Sequence, residues 1–202
     1  MRNHPQVRWI QAGVVGGLCA SLLYPLLLFA PLPFVAAVTA AALLGPAIGI
    51  GSLGLLQLIR VQGESVMATL GAIANVAAGA LFAAMVLVQL AVRHLALGAQ
   101  AEPAMVGIWL GLDVAWDVYI ALGTVFLASA MVNHPRFRWV FAVPGLVLGG
   151  LVLVLNLLSF PTPPAEAGSV DVGPVLGLWY LAATVQAWRS LGWAREKLGP
   201  VL

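Results

Sequence analysis

The chain has 202 residues, of which 62% are apolar and only 8% are charged, and its formal net charge is +2. A soluble domain carries about 25% charged residues, so this chain cannot cover a water-facing surface. We therefore expect the lipid bilayer to be its solvent and principal partner. The small net charge gives no indication of a nucleic-acid partner. The single cysteine, Cys19, excludes an internal disulfide.

Apolar runs follow one another along the chain, and each is close to the about 20 residues that a helix needs to cross about 30 Å of hydrocarbon. We predict an all-α integral membrane bundle of six transmembrane helices that forms one domain over residues 1–202. The last span is the shortest. The predicted spans are residues 9–30, 34–59, 66–92, 104–132, 139–160 and 174–189, and a short cytoplasmic tail follows at 190–202.

The basic residues predict how the bundle is oriented. With the N-terminus in the cytoplasm and alternating spans, eight of the nine Lys and Arg residues lie inside, and only Arg93 lies outside. This positive-inside bias predicts that both termini are cytoplasmic, which requires an even number of spans. We expect a multi-pass protein of a cell membrane, namely the bacterial inner membrane.

Gly13 and Gly17 in the first span are four residues apart, so they lie on one face of the helix. Small residues at this spacing let two helix backbones approach closely. The face is either a docking surface for a membrane partner subunit or an internal packing surface, and the sequence favours internal packing because apolar helices are rich in glycine.

The fourth span contains two carboxylates, Asp113 and Asp117, inside a long apolar run. Because they are four residues apart, they share one face of a helix. Carboxylates within a span are costly and usually face a bundle interior or a watery cavity. Trp109 and Trp116 lie beside this face, where they either wall a pocket for a flat or cationic ligand or pack in the core.

Four further polar side chains lie inside predicted spans: Asn75, Gln89, Asn156 and Tyr180. If the last four spans pack together, these residues and the two aspartates form an outward-opening polar pocket with Arg93 at its rim. Such a pocket has three possible uses. It is a proton- or cation-coupled site, a binding site for a small molecule, or a set of structural hydrogen bonds between helices.

The sequence contains little that indicates a cofactor, a metal or catalysis. His94 and His134 lie at opposite ends of the predicted bundle, so they cannot ligate one haem. One cysteine and scattered histidines do not make a structural zinc site. We therefore expect no cofactor and no metal, and we favour a function other than catalysis.

The most distinctive sequence segments of the chain are WLGLDVAWDVYIALGT, NHPRF, LNLLSFPTPPAEAG and GLWYL, in that order. They resemble small multi-span bacterial membrane proteins of unassigned function. In size and span count the chain is also similar to the substrate-binding subunits of energy-coupling-factor transporters. These observations lead to two hypotheses. The first is a protein that binds or transports a small molecule or coupling ion at the Asp113/Asp117 face. The second is a non-catalytic accessory or scaffold subunit of a larger membrane complex.

Overall fold

The computed structural model describes residues 4–95, 103–164 and 166–199, and those residues form helices and no strands. Each of the six predicted spans coincides with one long helix, and the predicted tail contains a seventh helix. A single 3-10 turn follows the second helix at Arg60–Gln62. The helices are α1 (Pro5–Phe29), α2 (Phe34–Ile59), α3 (Val66–His94), α4 (Pro103–Met131), α5 (Arg138–Ser159), α6 (Gly173–Arg189) and α7 (Leu191–Leu198).

Five of these helices, α1 to α5, are long and apolar enough to cross a membrane, which makes the chain a multi-pass membrane protein. Helix α6 has 17 residues. At 1.5 Å per residue it is about 26 Å long, a little less than the about 30 Å of a hydrocarbon core. The sixth span and the cytoplasmic location of both termini therefore stay predictions.

Local sequence sets several helix ends. Before α1, His4 Nδ1 accepts a hydrogen bond from the backbone N–H of Gln6 at 3.3 Å. Before α3, Ser65 Oγ accepts one from the N–H of Ala68 at 3.2 Å. Both side chains satisfy donors that the first turn of a helix leaves free. Gly63 has a φ of 137°, which glycine adopts readily, and it lets the chain reverse between α2 and α3.

The helices form a closed ring. Each of α1 to α4 packs on the next helix, and α6 closes the ring by packing between α5 and α1. Consecutive helices from α1 to α6 are antiparallel. Near the start of α1, Gln6 Nε2 donates to the carbonyl oxygen of Gln57 near the end of α2, at 2.9 Å. At the opposite end, the Phe34 ring of α2 stacks on the His94 ring of α3, with 4.0 Å between centroids.

The two ends of the ring differ in charge. The end at which α1 begins also contains Arg60 and Arg136, and we call it the basic end. The opposite end contains the loop between α5 and α6 with Glu166 and Asp171, and we call it the acidic end. The positive-inside orientation was predicted from this same separation of basic residues from acidic loops.

Glycines let the backbones of neighbouring helices approach closely. A methyl group on Gly13 of α1 would overlap the Cα of Gly54 in α2, and one on Gly17 would overlap the Thr184 side chain of α6. The Gly13/Gly17 face is therefore packed inside the protein. Of its two predicted uses, internal packing is what the structure shows, and a partner subunit on this face stays a prediction.

Polar contacts join the helices at the basic end. Arg136, between α4 and α5, donates from Nε to Ser190 Oγ at the end of α6, at 3.1 Å. Trp179 Nε1 donates to the carbonyl oxygen of Phe141 at 2.9 Å. His134 is 3% exposed and packs edge-on against Trp193 of α7. Burial lowers the pKa of His134 from its usual 6.5 to about 4, so its ring is neutral near neutral pH.

Candidate functional site

A cavity of about 290 Å³ lies inside the bundle and extends toward the acidic end, where Phe29 and Gly173 line it. Helices α1, α2, α4, α5 and α6 all contribute to its wall, which is mainly apolar. Among the described residues, none of α3 lines it. The expectation that the last four spans would form the pocket is therefore wrong, because α1 and α2 take the place of α3. The polar side chains on the wall are Ser21, Tyr24, Ser52, Asp117, Tyr180 and Thr184.

Aromatic rings form one side of this cavity. Trp116 of α4 and Tyr24 of α1 line it, and Phe82 of α3 packs behind both. The Phe82 and Trp116 rings meet edge to face, with centroids 4.9 Å apart and an interplanar angle of 70°. The Tyr24 and Phe82 centroids are 6.1 Å apart. These geometries are favourable for aromatic pairs, so the rings hold one another in place.

Tyr180 of α6 forms the floor of the cavity and hydrogen-bonds to two other helices, and Asn75 extends the contact to a third. Its hydroxyl oxygen accepts a hydrogen bond from Asn75 Nδ2 of α3 at 2.8 Å. The same hydroxyl lies 2.8 Å from Thr124 Oγ1 of α4. Asn75 Nδ2 also donates to Ser52 Oγ of α2 at 2.9 Å. We call Ser52, Asn75, Thr124 and Tyr180 the polar network.

The directions of the hydrogen bonds in this polar network follow from the donors. The Asn75 amide supplies both of its N–H groups, so Tyr180 accepts from it and has its own proton left to donate to Thr124. Thr124 then donates to the carbonyl oxygen of Ile120 at 2.7 Å. Asn75, Thr124 and Ser52 are each at most 2% exposed. The network thus fixes the floor of the cavity before anything binds there.

Asp117 of α4 is the one acidic residue among the described residues on the cavity wall, and none of them is Lys, Arg or His. It also borders a much smaller pocket, together with Asn156 and Asp171. Asn156 is 1% exposed, and its Nδ2 donates to the carbonyl oxygen of Val152 at 3.0 Å. Asp171 Oδ1 accepts from the N–H of Gly173, the first residue of α6, at 2.8 Å and so satisfies one donor that the first turn leaves free.

The structure brings together some of the sequence-predicted site residues and separates others. Trp116, Asp117 and Tyr180 all line the cavity. Asn75 lies one hydrogen bond behind Tyr180, and Asn156 lies beside Asp117 in the small pocket.

Three other predicted residues stay outside both pockets. Asp113 lies one helical turn nearer the acidic end than Asp117 and is half-buried. Trp109, a further turn away, and Gln89 of α3 are half-buried as well, and neither lines the cavity. The two aspartates therefore have different surroundings, although their spacing puts them on one face of α4.

Sequence reasoning missed three contributors to the site. Tyr24 and Ser52 belong to α1 and α2, and no sequence pattern placed these two helices around the aspartates. From the sequence, Thr124 could be recognised only as a small polar residue on the same face of α4 as Asp117. One feature of the α1 sequence could have indicated the site, because Tyr24 places a polar hydroxyl inside an otherwise apolar span.

Nothing in the described residues assigns a reaction to this site. Those residues contain no group of three His, Cys, Asp or Glu side chains that could hold a metal ion. What the cavity offers is a shaped apolar space with one carboxylate and two tyrosine hydroxyls. Comparisons of the chain with protein-family models, with curated proteins and with solved structures find no match.

Proposed function

We propose that the protein binds a small molecule inside the membrane, in the cavity that Asp117 borders. The observation that supports this is the cavity itself, whose volume of about 290 Å³ is close to the smallest usual ligand sites. Such sites are typically about 300–1,000 Å³, mainly apolar, and carry a few converging polar groups. Tyr24, Asp117 and Tyr180 are such groups, and they come from three different helices.

Each of these groups has a definite role in the proposal. The Asp117 carboxyl pairs with a polar or charged group of the ligand. Tyr180 supplies a floor whose position is set by Asn75 and Thr124, so little ordering is needed on binding. Trp116 and Tyr24 contribute flat apolar surface. Asp113 then acts outside the cavity, as a residue on the path of a coupling ion or as a structural side chain.

The proposal also includes the topology. We place α6 as a sixth, short span, so that both termini lie in the cytoplasm of a bacterial inner membrane. The apolar faces of α1 and α5 support contact with lipid, since Leu22 is 71% exposed and Leu158 is 80% exposed. A short α6 leaves room above its start for the loop that carries Asp171. Transport, beyond binding, requires a second opening toward the basic end.

The test is native mass spectrometry of the full chain, gently extracted from its own membrane. We expect a reproducible small adduct on the unaltered protein that is lost in the Asp117→Asn variant. Asp113→Asn is the matched control, because it makes the same chemical change one helical turn away from the cavity, and it should keep the adduct.

Two results contradict this proposal. An adduct that persists in Asp117→Asn places the ligand elsewhere. Absence of any adduct, together with a stoichiometric co-purifying chain, favours the second hypothesis, an accessory subunit of a larger membrane complex.

A further inference from the structure

We propose that the ligand is a lipophilic cation, an amine or quaternary ammonium group on an apolar body, which reaches the cavity sideways from the lipid between α1 and α6. This inference rests on the proposed function, because it names the ligand class and the access route of the same cavity. It depends on three observations: where the wall is open, how α1 and α6 separate, and which charges line the cavity.

The wall of the cavity is open on the side that faces lipid. Phe29 of α1 and Leu178 of α6 line the cavity and are also 78% and 64% exposed. Pro25 and Pro174, on the same two helices, are likewise both lining and exposed. Residues that border the cavity and the outer surface at once mark its mouth. Since this surface is apolar, the mouth opens to the bilayer and not to water.

The mouth exists because α1 and α6 touch at one level and separate at another. Near the middle of the bundle, a methyl group on Gly17 would overlap the Thr184 side chain, so the helices are in close contact there. Gly177 is seven residues, or about two turns, nearer the acidic end. A methyl group on Gly177 would meet nothing within 4 Å. The close contact between the two helices is therefore lost at the level of Gly177, where a gap opens, and one turn further on the Tyr24 hydroxyl of α1 lies 3.7 Å from the position of a methyl group on Gly173.

The charges on the wall select a cation. Of the lining residues that the structure describes, Asp117 is acidic and none is Lys, Arg or His. An anionic ligand would have no basic partner among these residues and would lie near a carboxylate. A cation instead pairs with Asp117 and lies against the faces of Trp116 and Tyr24, which attract positive charge. An apolar body then fills the remainder of the cavity.

The ligand class is tested with three probes that share one alkyl chain: octyltrimethylammonium, octanol and octyl sulfate. The full chain is placed in lipid nanodiscs, and binding is followed by tryptophan fluorescence against protein-free discs. We expect the ammonium probe to bind at least about tenfold more tightly than octanol, and octyl sulfate not to bind. Asp117→Asn should remove the preference for the ammonium probe, whereas Asp113→Asn should keep it.

Access from the lipid is tested by filling the gap. Gly177→Leu puts a side chain into the mouth at a position where its Cβ meets nothing within 4 Å, and we expect it to weaken binding of octyltrimethylammonium at least about tenfold. Gly150→Leu is the matched control. Gly150 also has nothing within 4 Å of an added methyl group, lies on α5 and does not line the cavity. It should bind the probe as the unaltered protein does.

The outcomes separate this inference from the proposed function. Equal binding of octanol and octyltrimethylammonium, with an Asp117-dependent native adduct still present, overturns the cation and leaves the binding function standing. A folded Gly177→Leu variant with unchanged affinity overturns access between α1 and α6. Failure of every probe, with no adduct in native mass spectrometry, overturns both proposals.

Discussion

Replacing Tyr180 with Phe tests the polar network that forms the floor of the cavity. The change removes one hydroxyl and with it two hydrogen bonds of 2.8 Å each, to Asn75 and Thr124. Hydrogen bonds between helices in membranes are worth about 0.6 kcal/mol on average and at most about 1.7 kcal/mol. Asn75 keeps Ser52 as a partner and Thr124 keeps the Ile120 carbonyl, so neither is left without a hydrogen bond. We expect the free energy of unfolding to fall by about 1–2 kcal/mol.

The assay is reversible unfolding in mixed micelles with increasing sodium dodecyl sulfate. Tyr119→Phe is the matched control, because Tyr119 lies on the same α4 as Thr124 but is 43% exposed, and it should change stability little. A double-mutant cycle of Tyr180→Phe with Thr124→Val should give a coupling of about 0.6 kcal/mol. A loss below about 0.3 kcal/mol in Tyr180→Phe, or equal losses in both tyrosine variants, would refute the reasoning.

Two further predictions concern packing and pH. Gly123→Ala should destabilise the protein by roughly 3 kcal/mol or more, because its methyl group would overlap Asn75 Oδ1 and approach the Gly71 carbonyl oxygen to 3.1 Å. The same unfolding assay should show almost no change for Gly150→Ala, whose methyl group meets open space, and comparable losses in both variants would contradict the packing argument. Because the pKa of His134 is about 4 when folded and 6.5 when unfolded, the unfolded chain takes up its proton first as pH falls, so stability should drop between pH 6.5 and pH 4. The His134→Gln variant should lose less stability over that window, and an unchanged pH dependence would show that His134 is not responsible.

The helices could be predicted closely from the sequence, because in a membrane protein hydrophobicity and length decide them almost alone. The predicted second span at 34–59 has the bounds of α2, and the predicted fifth span at 139–160 differs from α5 by one residue at each end. Loops with proline and charge mark the boundaries, and backbone hydrogen bonds within each helix need no partner from elsewhere in the chain. The local amino-acid sequence is therefore enough to predict where each helix begins and ends.

The site could be predicted only in part. Asp117 and Tyr180 were identifiable because a polar side chain in an apolar run stands out and needs a partner. The helices that would face them were not identifiable, since α1 to α6 are all similarly apolar and several pairings would bury the same residues. The contacts that select one arrangement are shape-dependent, such as Gly13 against Gly54 and Gly17 against Thr184.

Asp113 and Asp117 show where local periodicity reaches its limit. Their spacing places both on one face of α4, which was correct for the helix taken alone. Whether a residue on that face borders a cavity depends on its depth and on what the neighbouring helices leave empty there. Asp117 lines the cavity between α1, α2, α4, α5 and α6, whereas Asp113, one turn away along α4, does not. Such a space belongs to no single segment, because it is what remains after the helices have packed.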